Sequence, residues 1–209
     1  MSRDADLREE TSRVEAFSDG VFAIAATLLI LEIRTPEHLH AGQLGGALAS
    51  LWPSFLAFVT SFFTIGVMWM NHHRLFNLIG RSDQGLLASN GLLLMGVTFV
   101  PFPTALLARY LTHPDAPVAA VFYNAVFLYL ALAFQLLWRH ASGHARLLEE
   151  DADPSSVEAI TRQYRFGPVF YLVLIAVAYF SAVVSLLLNL ALAVFFAIPS
   201  SWFRRRPFA

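Results

Sequence analysis

The stretch FGPVFYLVLIAVAYFSAVVSLLLNLALAVFFAIPSSWF, residues 166–203, runs for 38 positions between Arg165 and Arg204 without one charged side chain. As a single helix it would extend about 57 Å at 1.5 Å per residue. That is nearly twice a hydrocarbon core of roughly 30 Å, and tilt does not absorb the excess. The run is therefore expected to fold back near Ser181–Ser185 into two membrane spans, near residues 166–182 and 185–203.

Working outward, four more apolar stretches fall near residues 16–33, 49–70, 86–108 and 117–138. The chain reads as an all-α integral membrane protein, with residues 1–209 forming a single domain of six transmembrane helices. Composition agrees: 57% of residues are hydrophobic and 14% charged, against roughly 45–50% and 25% for soluble domains. Pro101 and Pro103 should bend or end the third span, and Pro117 suits the first turn of the fourth. The mixed-charge segment 139–165 reads as a short cytoplasmic helical connection.

Arginine placement gives a second count. With six spans, both termini and the loops after spans two and four share one side. That side carries 12 of the 14 arginines, all but Arg34 and Arg109. By the positive-inside rule it is the cytoplasmic side of the cell membrane. Every basic residue is arginine, which points to a GC-rich bacterial genome. The leader, Met1 to Ser18, has three arginines against five carboxylates; a signal peptide would have a net-positive start. No cysteine is present, and the formal net charge of -1 argues against nucleic acid.

The first span is unlike the rest. Asp19 and Glu32 bracket only 12 residues, about 18 Å of helix. Ionisable groups at that depth usually face a bundle interior or a water-filled path, so this helix is expected to be shielded from lipid. Gly20, Ile24, Thr27 with Leu28, and Leu31 follow one stripe at steps of three and four. Small residues at Gly20, Ala23, Ala25 and Ala26 would allow close helix approach. Spacing alone fits ordinary packing of one span against its neighbours as well as a lining of a central axis.

The residues RVEAFSDGVFAIAATLLILEI, Arg13 to Ile33, closely resemble the first-helix signature of the lysosomal potassium channel family called transmembrane protein 175. The resemblance rests on Arg13 followed by Phe17-Ser18-Asp19, on GVFAIA, and on the Leu-Leu-Ile-Leu-Glu-Ile run. WMNHHRLF, Trp69 to Phe76, is similar to the end of that family's second helix. The resemblance implies a homotetrameric, potassium-preferring cation channel with the first helix of each subunit lining the central pore. Ile24, Leu28 and Leu31 would then be the apolar constrictions, Ile24 the narrowest, and Thr27 the hydroxyl layer of selectivity. Arg13, Ser18, Asp19, Trp69, His72 and His73 would correspond to a polar network bracing the pore helix. Ala26 stands where many family members have isoleucine, off the stripe. Animal relatives also pass protons, so proton permeation is an open expectation.

The residues themselves agree in one respect. No Thr-Val-Gly-Tyr-Gly loop is encoded, so selectivity would have to come from side-chain rings and constrictions that gate by dewetting. Glu32 would either collect cations at the outer mouth or sit at the membrane interface. Arg13 and Asp19, six residues apart, cannot pair along one helix; His72, His73, Asn71 and Asn90 lie near their level. Adjacent His72 and His73 cannot easily share a metal, and His140 with His144 has the right spacing but no carboxylate. No metal site and no cofactor is expected beyond permeating potassium. The expected partners are further copies of the chain, the bilayer and monovalent cations. A secondary transporter with a midplane site is the alternative; it would need broken helices in two corresponding halves. An enzyme would need a nucleophile or metal set that the chain does not assemble.

Overall fold

The computed structural model describes residues 3–143 and 147–197, and within these the protein is helical. Helix α1 spans Arg3–Leu28 and tightens into a 3-10 turn at Leu29–Glu32. Short α2 is Leu44–Ser50, α3 is Trp52–Phe76, α4 is Gln84–Phe99 and α5 is Pro101–Tyr110. Helix α6 covers Ala116–Gly143, α7 Pro154–Phe180 and α8 Ala182–Ala197.

Five stretches are long and apolar enough to cross a membrane: Glu9–Glu32, Trp52–Phe76, Gln84–Tyr110, Ala116–Gly143 and Pro154–Phe180. The chain is thus a multi-pass membrane protein. The apolar helix that follows them, α8, has 16 described residues, about 24 Å. The remainder of the span expected at 185–203 lies outside the described residues, as do His144, Arg146 and Arg204–Arg206.

Several boundaries differ from the sequence reading for a common reason. Hydropathy marks where a helix meets lipid, not where it begins. Helix α1 starts at Arg3 because its charged first turns remain helical beyond the apolar stretch. Helix α7 starts at Pro154, eleven residues ahead of Arg165. Asp153 caps it by accepting the backbone N–H groups of Ser155 and Ser156, with proline in the first turn. The helical connection expected at 139–165 is helix as the ends of its neighbours, α6 reaching Gly143 and α7 beginning at Pro154. The third span breaks at Val100, where Pro101 and Pro103 remove two donors from the ladder.

Helix α6 is the centre of the bundle. Its Tyr123, Phe127, Leu130, Leu137 and Trp138 are fully buried, against α4, α5, α7 and α8. Helix α3 packs on α1, α5 and α8, and α1 lies in the angle between α3 and α4. Gly96 permits the close approach of α4 to α6: a Cβ there would meet Tyr129 Cε1 at 2.5 Å and Leu130 Cδ2 at 2.8 Å.

Polar seams join helices that would otherwise have only dispersion to hold them in lipid. Ser61 on α3 bonds Thr104 on α5 at 2.8 Å and Tyr123 on α6 at 2.9 Å, just beyond the Val100 break. Asn189 on α8 donates to Asn124 on α6 at 2.9 Å, Asn124 donates to Ser185 at 3.0 Å, and Ser185 donates to the Leu174 carbonyl of α7. At the end of the bundle where α3 finishes, the α3–α4 and α6–α7 connections pair through Gly80 N–H to Leu147 C=O and Glu149 N–H to Leu78 C=O.

Candidate functional site

Helix α1 has two faces with different fates. Ser18, Phe22, Ala25 and Leu29, at steps of four, three and four, are buried against α3 and α4. The small side chains of Ser18 and Ala25 let α1 sit deep in that angle, and Phe22 and Leu29 fill it. The opposite face is uncovered: Ile24 is 59% exposed, Leu28 42% and Leu31 70%, with Phe17, Gly20, Ala23 and Thr27 beside them. Nothing stands within 4 Å of a Cβ built on Gly20. The residues singled out as constrictions, together with Thr27, thus share one open stripe. Of the small residues expected to permit helix approach, Gly20 and Ala23 lie on the open side, while Ala25 is buried and Ala26 half-buried.

The Thr27 hydroxyl donates to the Ile24 carbonyl at 2.9 Å. Its one proton is used within the helix, leaving oxygen lone pairs as what the side chain can offer to the open stripe.

The inner face is held by a directed chain of hydrogen bonds. Ser18 Oγ donates to the Val14 carbonyl at 2.8 Å, so its oxygen accepts from Asn90 Nδ2 at 2.9 Å. That sets the Asn90 amide, and its Oδ1 then faces His72 Nε2 at 3.0 Å. With Oδ1 an acceptor, His72 carries its proton on Nε2. One chain of side chains therefore locks α3, α4 and α1 together. Phe22 and Phe76 enclose the His72 ring, with centroids at 5.3 and 4.4 Å. His72 Nδ1 is buried without a hydrogen-bond partner.

A second, half-exposed ladder lies beside it. Trp69 Nε1 donates to Asp19 Oδ1 at 2.9 Å, and His73 Nδ1 meets Glu15 Oε1 at 2.8 Å. The Trp69 and His73 rings stack at 6.4 Å. Each pair sits four residues apart on its own helix, so the two pairs meet rung to rung.

Of the expected network, the fold brings together Ser18 with His72 and Asp19 with Trp69; His73 joins through Glu15. Arg13 stands apart. It is exposed, and with Glu10, Phe17, Leu87 and Asn90 it lines an open groove of about 420 Å³. Asn71 faces the other way: its Oδ1 accepts from Gln163 Nε2 and its backbone carbonyl from the Tyr164 hydroxyl, at 3.3 Å each. Sequence reasoning missed Glu15, although its four-residue spacing from Asp19 matches that of Trp69 and His73. Glu32 is half-buried and lines a groove with Arg34 and Arg109. His140, weighed for metal, pairs with Asp83, the N-cap of α4, at 2.8 Å. Among the described residues no cluster of three or more metal-ligating side chains occurs.

Residues 13–101 match the family described as endosomal/lysosomal potassium channel TMEM175. A potassium channel of Chamaesiphon minutus is 54% identical over 200 residues, covering 95% of this chain and 98% of that protein. A crystal structure of the Chamaesiphon minutus homologue of the lysosomal potassium-selective channel superposes with a TM-score of 0.81. It is 53% identical and covers 90% of this chain and 97% of that one. The human endosomal/lysosomal proton channel TMEM175 is 36% identical over 150 residues, or 66% of this chain and 30% of its own length. This chain belongs to the TMEM175 family, whose members are ion channels and not enzymes.

Proposed function

We propose that this protein is one subunit of a homotetrameric, potassium-preferring cation channel whose pore is lined by α1 of each copy. The observation that carries the reading is the division of α1: one face locked by Ser18, Phe22 and Leu29, the other leaving Ile24, Thr27, Leu28 and Leu31 uncovered. Helix α7 offers the contrast. It also exposes one side, but with large apolar groups alone over Phe166, Val169, Phe170, Leu172 and Val173, as a lipid-facing helix should. The open face of α1 instead mixes Gly20, Ala23 and Thr27 with its larger residues, and small residues suit close approach of like helices.

Around a four-fold axis, Ile24, Leu28 and Leu31 form successive apolar rings, and Ile24 is the narrowest. Such rings gate by dewetting, and the Thr27 ring supplies oxygens in place of part of the hydration shell of a potassium ion. One hydroxyl layer offers few oxygens, so discrimination against sodium is modest. The names of the bacterial and human relatives support potassium and proton flux respectively. Both termini lie in the cytoplasm by the arginine distribution, in a cell membrane.

The test is a reversal potential for purified protein in planar bilayers, with potassium on one side and sodium on the other, together with the detergent-solubilised mass. Unitary current steps, a potassium-directed reversal and a mass of four subunits are expected. A saturable, coupled flux without unitary steps would replace the channel by a transporter.

A further inference from the structure

Where α1 ends, α3 begins and α5 ends, an open groove of about 420 Å³ is lined by Glu32, Arg34, Ser54, Phe102, Leu106 and Arg109. Among the described residues none of its three charged side chains makes an ion pair or hydrogen bond. Arg34 and Arg109 are the two arginines that stand away from all the others along the chain. Two guanidinium groups and one carboxylate share the groove, so it carries a net positive charge that a bound anion would neutralise. Their planar forks match phosphate oxygens.

The groove has a direction. Along α5, Phe102 and Leu106 are one turn apart, and Arg109 follows a turn later at the helix end. An apolar track thus runs along the surface of α5 from exposed Phe102 past half-buried Leu106 to a cationic mouth. Tyr110 also lines the groove and Trp52 lies between two of its wall residues, Leu51 and Ser54; such rings settle at a membrane–water interface. Ser54 adds a hydroxyl to the wall. Glu32 supplies the remaining charge, a carboxylate beside two cations.

A ligand complementary to this set has an acyl chain, a phosphate and a nearby cation that can donate hydrogen bonds. We propose that the groove binds a phospholipid with an ethanolamine-type headgroup. The phosphate sits on Arg34 and Arg109, the primary ammonium on Glu32, and an acyl chain along Leu106 and Phe102. A quaternary choline ammonium has no N–H to give Glu32, and a glycerol headgroup has no cation. The assignment does not depend on where ions cross the protein, so current measurements and this test fail separately.

The experiment is native mass spectrometry of the full chain in detergent, offered equal amounts of phosphatidylethanolamine, phosphatidylcholine and phosphatidylglycerol with matched chains. The wild type should retain phosphatidylethanolamine about fivefold over each competitor, the worth of roughly one net hydrogen bond. Soluble phosphoethanolamine, lacking acyl chains, should not displace it. Arg34→Gln with Arg109→Gln should reduce all three lipids to one low level. Glu32→Gln, a near-isosteric change, should keep phospholipid bound but make phosphatidylethanolamine and phosphatidylglycerol equal. Equal retention of the three by wild type, a phosphatidylglycerol preference, or variants that keep the original preference would overturn the assignment. So would loss of oligomer mass in Arg109→Gln with lipid preference intact, which would give the groove to a second copy.

Discussion

Asn90 on α4 gives its side-chain N–H to the hydroxyl of Ser18 on α1 at 2.9 Å, while its carbonyl oxygen takes the Nε2 proton of His72 on α3. One buried amide thereby registers the helix with the open stripe against the two helices behind it. Apolar packing tolerates sliding by fractions of a turn, whereas a directed chain of hydrogen bonds ending on the Val14 carbonyl does not.

Replacing Asn90 by alanine leaves Ser18 Oγ without its donor and the His72 N–H without an acceptor, both at buried positions. The expected loss is about 1–3 kcal/mol, given the modest net worth of side-chain hydrogen bonds inside membranes and the added cost of orphaned groups. Thermal unfolding of the detergent-solubilised protein measures it. A melting temperature equal to wild type would mean that the seam does not hold α1 in place.

Two substitutions on the open stripe separate selectivity from constriction. Thr27→Val preserves shape and removes the oxygen, so the preference for potassium over sodium should fall in planar-bilayer reversal potentials. Ile24→Ala widens the proposed narrowest ring and should raise unitary conductance. Unchanged currents in both variants would take α1 out of the ion path.

Asp83 caps α4, accepting the Leu86 N–H at 2.7 Å and pairing with His140 on α6. These contacts hold its carboxyl below the usual carboxylate range, the Leu86 N–H being the larger cause. A depressed pKa contributes stability above the unfolded-state value that disappears as pH falls through the folded one. Asp83→Ala should therefore cost about 1 kcal/mol at neutral pH, as lost caps do. Its difference from wild type should shrink below about pH 4, near the unfolded carboxylate value, in melting curves recorded across that range. A difference independent of pH would show that the charge of Asp83 plays no part.

Gly96 faces Tyr129 and Leu130 where α4 crosses α6. Even a methyl group there forces one ring or one helix to move, and overpacking of this kind costs about 1–3 kcal/mol. Gly96→Ala should lower the melting temperature while leaving the potassium-to-sodium reversal potential unchanged, because the crossing joins α4 to α6, neither of which carries the open stripe. A selectivity change without destabilisation would contradict this division of roles.

Much of the arrangement was legible in the chain. The uncharged run 166–203 demanded a turn, and the helix breaks at Ser181; Pro101 and Pro103 announced the interruption of the third span. The stripe of Ile24, Thr27, Leu28 and Leu31 followed from helical spacing, and its first-helix motif pointed to the family. Helix ends were less legible, because Arg3–Glu15 and Pro154–Arg165 are polar enough to leave lipid yet remain helical. Asp153 before Pro154 was the overlooked start signal. The partners of Ser18, Asp19 and His73 were illegible in detail, since nothing local distinguishes Asn90 from Asn71 at a similar depth.

By itself, the order of residues determined that this is a helical protein of the bilayer, and that its first helix carries a polar-flanked stripe unlike the others. Those are properties of hydropathy and of period along one chain. Only the tertiary structure decided which side of that helix is covered, that Asn90 rather than Asn71 reaches Ser18, and that Glu32 shares one groove with Arg34 and Arg109. Those outcomes depend on which side chains of separate helices arrive at the same depth, and depth is fixed by how the helices pack.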